Sequence, residues 1–180
     1  DLIVYHCSAS PASIRAPEKV ANSFYSKNEN SNYDYKSFDI ETINSEINRK
    51  HASSYFSYRG YNRLHKIFNS DQFMALEKKF QNFWMIDVAN CFDSVYTHTI
   101  SWAVKGKIEA KKNVGYENQF CSKFDRLMQR SNNNETNGIA IGPEVSRVFA
   151  EIIFQDADVK IIKRLNESYG LNYGIDYTFF

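Results

Sequence analysis

The stretch Phe83–Val95 constrains this chain more than any other. Phe83, Trp84, Met85 and Ile86 run without a polar break into one carboxylate, Asp87. Small and turn-forming residues follow at Ala89, Asn90 and Cys91, then a ring at Phe92 and a second acid at Asp93. Trp84–Val88 is too short and too apolar for a surface helix, so the pattern predicts a buried strand. An acid at the end of such a strand is held still, and the next carbonyl, that of Val88, lies beside it. Carboxylate and carbonyl oxygens are the ligands that hard divalent cations take. Taken alone, Asp87 reads better as an ordinary turn acid. Much further along, Gly138–Arg147 forms a glycine-framed turn that opens a long helix.

Bulk composition excludes little. A chain of 180 residues is long enough for one good core. Its net charge of +1 neither supports nor excludes a nucleic-acid partner. Cys7, Cys91 and Cys121 are far apart, which argues against a zinc knuckle or a disulfide scaffold and fits a reducing cytosol. No apolar run is long enough to span a bilayer, and residues 1–5 lack the features of a signal peptide. The abundant rings fit a well-filled core better than base-stacking platforms. The start on Asp1 and the aromatic stretch Tyr177–Phe180 lead us to expect a fragment of a longer protein.

Local signals divide the rest of the chain. Residues 6–17 are turn-rich, 18–25 suggest a short helix, the Asn-rich 26–37 reads as a loop, and 40–50 is weakly helical. Residues 55–68 suggest a helix interrupted near Gly60. Ser70 is a helix N-cap with Asp71 in the first turn, and Phe73, Leu76, Phe80 and Phe83 form its apolar face. Asp93 and Ser94 are expected to cap a helix through Val104 that stops at Gly106. The lysines at 105, 107, 111 and 112 form a basic patch. Residues 118–130 predict a helix with Phe120, Phe124 and Leu127 on one face, and Ser131–Asn137 a loop. Pro143 suits the first position of the next helix, whose buried stripe is Val145, Val148, Phe149, Ile152 and Ile153. Gly170 ends the helical region, and Tyr173–Phe180 is expected to form a strand.

The two glycine- and aspartate-bearing segments resemble the first two palm motifs of reverse transcriptases. Asp87–Asp93 is similar to motif A, and Gly138–Glu151 to motif B. The continuation Ser94–Lys107, with its Tyr96-Thr97-His98 run, resembles a narrower group, the bacterial antiphage reverse transcriptases of the abortive-infection and defence-associated class. The resemblance implies an α+β right-hand polymerase, helix-rich, with a small antiparallel palm sheet. Residues 1–83 would be mostly helical fingers, 84–106 palm with motif A, 107–137 a helical connection, and 138–180 palm with motif B, ending before motif C. It also implies Mg²⁺, dNTP substrates, an RNA or DNA template or primer, and a homo-oligomer, in the bacterial cytoplasm and away from membranes.

Residue by residue, the resemblance makes Asp87 the catalytic metal ligand, with the Val88 carbonyl beside it. Ala89, Asn90 and Cys91 would offer backbone N–H groups to the triphosphate. Phe92 would close on the sugar and reject a ribose hydroxyl, although such a ring is as often simply core. Asp93 reads as a helix cap. Gly138, Ile141 and Gly142 would contact template, primer and the nascent pair, with Gly142 also at the nucleotide. Arg59 and Arg63 are candidate phosphate contacts, with Lys66 and the 105–112 lysines behind them; solvated helix faces are the commoner role for such charges. His98 reads as structural. Arg147 and Glu151 match the motif without an assigned role, a salt bridge between them being the plain alternative.

Ile141 departs from the pattern, since many enzymes of this superfamily carry Gln immediately before the second glycine. Ile donates no hydrogen bond, which points to weak or absent template use. The third motif, with its paired aspartates, is not in this sequence. The implied function is an RNA-directed DNA polymerase of antiphage defence. The alternatives are a degenerate nucleic-acid-binding or assembly module and a retron-type templated enzyme.

Overall fold

The computed structural model describes residues 1–20, 55–61, 64–112, 115 and 117–180. The expected loop at 26–37 and helix at 40–50 lie outside the described residues. The chain is helix-rich with one two-stranded antiparallel sheet.

Near the start, α1 (Leu2–His6) is followed by the strand β1 (Arg15–Val20). This pairs antiparallel with β2 (Phe56–Gly60), Ala16 opposite Arg59 and Pro17 opposite Tyr58, with a bulge at Glu18. Both strands are sheet edges, which is where proline is tolerated. Two expectations fail here: residues 18–20 are strand rather than helix, and so are 56–60. Aromatic residues at 55, 56 and 58 favour a pleated surface as readily as a helix, and a distant strand decided the outcome. The small sheet thus falls within residues 1–83, not in the segments expected to form a palm sheet.

The helix α2 (Leu64–Phe68) leads to α3 (Asp71–Lys79). Ser70 caps α3 as expected, its Oγ accepting from the Phe73 N–H at 3.2 Å. The apolar face is shallower than the spacing suggests. Phe73 and Leu76 are half-buried, and Phe83 lies beyond the helix, 61 % exposed.

The expected buried strand at Trp84–Val88 is absent. Residues 82–88 have no regular secondary structure, and Trp84, Met85 and Ile86 are 81, 78 and 84 % exposed. A strand needs a neighbour to take its N–H and C=O groups, and no described segment runs alongside this one. The strand expected over Tyr173–Phe180 is likewise reduced to one isolated bridge between Tyr173 and Tyr177. These residues fold into a turn, with Gly174 N–H bonded to the Tyr177 carbonyl at 2.7 Å.

The core lies between three helices. A single turn, α4 (Cys91–Ser94), precedes α5 (Thr99–Lys105), and Gly106 ends α5 at φ 79° as expected. The break between them corrects the single helix expected over 93–104. Asp93 sits inside the first turn, and the position before α5 is His98, whose side chain makes no cap bond. A short helix, α6 (Lys107–Lys112), carries three of the lysines. Then come α7 (Phe120–Ser131) and the 26-residue α8 (Glu144–Tyr169), which Pro143 precedes and Gly170 closes in a left-handed conformation.

Helix α5 packs on both α7 and α8. Ile100, Cys121, Phe124, Met128, Val148, Phe149 and Ile152 fill the space between them, and Phe124 meets Phe149 edge to face at 5.0 Å. Leu127, expected in this face, is 51 % exposed; Met128 takes its place. Val145 and Ile153 only flank the core. Residues 10–13 are fastened to α8 by a polar ladder. Ser10 Oγ donates to Asp158 at 2.9 Å, Ser13 Oγ to Glu151 at 2.6 Å, and the Ser10 N–H to the Gln155 side chain.

Candidate functional site

The two segments singled out in the sequence meet in the structure. The Ile139 N–H donates to the Phe92 carbonyl and the Gly138 N–H to the Val95 carbonyl, both at 2.9 Å. Tyr96 bridges Asn137, and the Thr97 N–H donates to the Thr136 carbonyl at 2.9 Å. Residues 92–97 and 136–139 therefore form a small antiparallel seam, although the chain between them winds through three helices.

Glycine is required at this seam. Gly138 has φ 83°, and a Cβ there would sit 3.3 Å from the Asn132 amide nitrogen and 3.4 Å from the Asp93 carbonyl oxygen. The same Asn132 amide donates to the carbonyls of Asn137 and Gly138, at 3.1 Å each. Gly142, at φ 111°, has open space around it and is needed for its backbone angle alone. Ile141 beside it is 74 % exposed.

The candidate ligands precede the seam in the chain. Asp87, Val88, Ala89 and Asn90 are all exposed. Asn90 has a left-handed backbone, φ 49°, and its carbonyl accepts from the Ser94 N–H at 2.9 Å, closing the α4 turn. Cys91 is half-buried. Burial, and then the Asp87 carboxylate, push its thiol upward. Phe92 leans on the core cluster. Carboxylate and carbonyl are the right donors for Mg²⁺, but one acid does not hold a pair of ions. Among the described residues no group of three or more His, Cys, Asp or Glu is gathered.

Arg59 lies in β2, its side chain outside the described residues, as is all of Arg63. Arg147 does not pair with Glu151. Its guanidinium lies 4.7 Å from the centre of the Tyr58 ring and 3.7 Å from Glu144, whose carboxylate accepts from the Tyr58 hydroxyl at 2.5 Å. Glu151 instead accepts from Ser13 and from Gln155. Arg147 thus holds the hairpin on α8, at the wall of a cleft of about 350 Å³ that Phe154 and Phe179 also line. The Cys7 thiol, buried near Glu151, is pushed up to about 12 by burial and then by that charge.

One constellation had no clear sequence signal. His98 Nδ1 meets the buried Asp125 carboxylate at 2.5 Å. Gln129 Nε2 donates to the other Asp125 oxygen at 2.7 Å and reaches Thr97 Oγ1 at 3.3 Å. The Asp125–Gln129 spacing, one helical turn, was the only hint. This network pins the seam to α7, as a structural role for His98 requires. No described helix is long and apolar enough to cross a membrane. Compared with known proteins, the chain matches no protein-family model, no curated protein and no solved structure.

Proposed function

We propose that this chain forms the fingers and first palm segment of a DNA nucleotidyltransferase of the reverse-transcriptase type, serving bacterial antiphage defence. The observation that supports it best is the seam: residues 92–97 bonded to 136–139, which sets the turn after Asp87 against the Gly138 turn. That juxtaposition is what a polymerase palm requires of these two segments, and composition alone did not demand it. In this reading Asp87 and the Val88 carbonyl are the chain's share of a Mg²⁺ site. A single carboxylate is too little for two ions. The chain's own part is to present Asp87, to offer the backbone of Ala89–Cys91 to a triphosphate, and to set Phe92 and Gly142 near the nucleotide, with RNA or DNA along Gly138 and Ile141.

The test is Asp87→Ala in the full-length protein, assayed for incorporation of labelled dNTP with Mg²⁺. We expect incorporation to vanish while the fold, followed by circular dichroism, persists; undiminished incorporation refutes the assignment. A second reading, a nucleic-acid-binding or assembly module without polymerisation, draws on the exposed run Phe83–Ile86 and on the solitary acid beside it. Antiphage protection that survives Asp87→Ala would favour that reading.

A further inference from the structure

Beside the seam lies a surface that the proposed chemistry does not use. Tyr96 packs against both His98 and Trp102, meeting His98 edge-on at 5.0 Å and Trp102 at 5.8 Å. None of the three belongs to the core cluster; Tyr96 is 38 % exposed and the His98 side chain 43 %. Large rings usually sink into a core. These are held at the surface by their own anchors. Tyr96 is fixed by its bridge to Asn137, His98 by Asp125, and Trp102 by its place in α5.

The rings adjoin a local concentration of positive charge. Between residues 105 and 112 four lysines stand against one glutamate, in a chain whose net charge is only +1. Lys107 extends over the Trp102 ring, its Nζ 5.4 Å from the centre. Lys111 and Lys112 are exposed, and among the described residues neither they nor Lys107 enters an ion pair.

An exposed Tyr96 and the half-buried rings of His98 and Trp102, interleaved with lysines, suit one class of ligand. Bases stack on ring faces while ammonium groups follow the phosphates. A duplex keeps its bases stacked on each other and has none to offer. An acidic peptide would match the lysines and leave the rings unused. We infer that the face formed by Tyr96, His98, Trp102 and the lysines of α6 binds single-stranded nucleic acid. On binding, Lys107 exchanges the Trp102 ring for a phosphate, and a base takes the ring face. The site stands apart from any catalysis at Asp87, so it is tested with a chelator present.

The chain has two tryptophans, so Trp84→Phe leaves Trp102 as the sole indole reporter. An oligo-dT of about 20 nucleotides should quench its fluorescence, with an affinity that falls steeply as salt rises. Lys107→Glu with Lys111→Glu should weaken binding about tenfold or more. Lys160→Glu with Lys163→Glu makes the same change of net charge on the exposed C-terminal half of α8 and should change affinity less than about twofold. Circular dichroism verifies that each variant is folded. Absence of quenching, equal weakening by the two pairs, or equally tight binding of a duplex of the same length overturns the inference. So does polyglutamate that quenches Trp102 as strongly, which would make the face a site for an acidic protein.

Discussion

The buried junction of His98, Asp125 and Gln129 yields the most quantitative prediction. Asp125 is 8 % exposed and accepts two side-chain bonds, from His98 at 2.5 Å and Gln129 at 2.7 Å. A bond to a charged group contributes about 1.5–3 kcal/mol and a neutral one about 1 kcal/mol. Because His98 is close to half exposed, water offsets part of the first, and about 1–2 kcal/mol remains. Asp125→Ala should therefore destabilise the chain by about 2–4 kcal/mol, since Gln129 keeps only its 3.3 Å contact with Thr97. For a chain of this size that lowers Tm by roughly 4–16 °C. Urea unfolding of the parent, His98→Ala, Asp125→Ala and the double variant gives the pairwise term directly, and we expect about 1–2 kcal/mol. A coupling below about 0.5 kcal/mol would mean that the imidazole and the carboxylate do not hold the seam to α7, and the structural account of His98 would fall.

Two more outcomes follow from single residues. Gly138→Ala forces a side chain onto φ 83° and crowds the Asn132 amide, so it should cost about 2–3 kcal/mol in urea unfolding; a loss under about 0.5 kcal/mol contradicts the close approach. Asp158 is raised above its usual value of 3.8 by burial, with the Ser10 bond opposing. The stability associated with a raised acid is fully present below 3.8 and is lost as pH rises through the folded-state value. Asp158→Asn should therefore melt higher than the parent at neutral pH, with the gain shrinking toward acid. A gain that does not change with pH would contradict burial as the cause.

What the sequence disclosed and what it hid separate along one physical line. Ser70, Gly106 and Gly170 act within a turn of their own position, and each starts or stops a helix where expected; Pro143 sits one residue outside its helix, at the cap, rather than in the first position. The buried stripe of Val148, Phe149 and Ile152 was equally plain, because a helix repeats its facing residues locally. The hairpin was not, since β2 is a strand only by pairing with β1, and the segment between them is long. The ladder of Ser10, Gln155 and Asp158 escaped for the same reason, since each bond spans most of the chain.

The stretch 83–88 is the instructive failure. Its composition states a demand, apolar surface seeking cover and backbone groups seeking partners, and a demand does not say where the supply is. The helices nearby satisfy their own backbone bonds, so they have no edge to lend. The site was legible in the opposite way. Nothing local in residues 92–97 requires the neighbourhood of 136–139. Yet the turn at Asn90 and the glycine at 138 are the kinds of residue that let two backbones close together, and the seam forms between them. The strand expected at 84–88 is absent and the seam is formed, so the proposed function rests on the backbone pairing of 92–97 with 136–139 and not on a buried strand ending at Asp87.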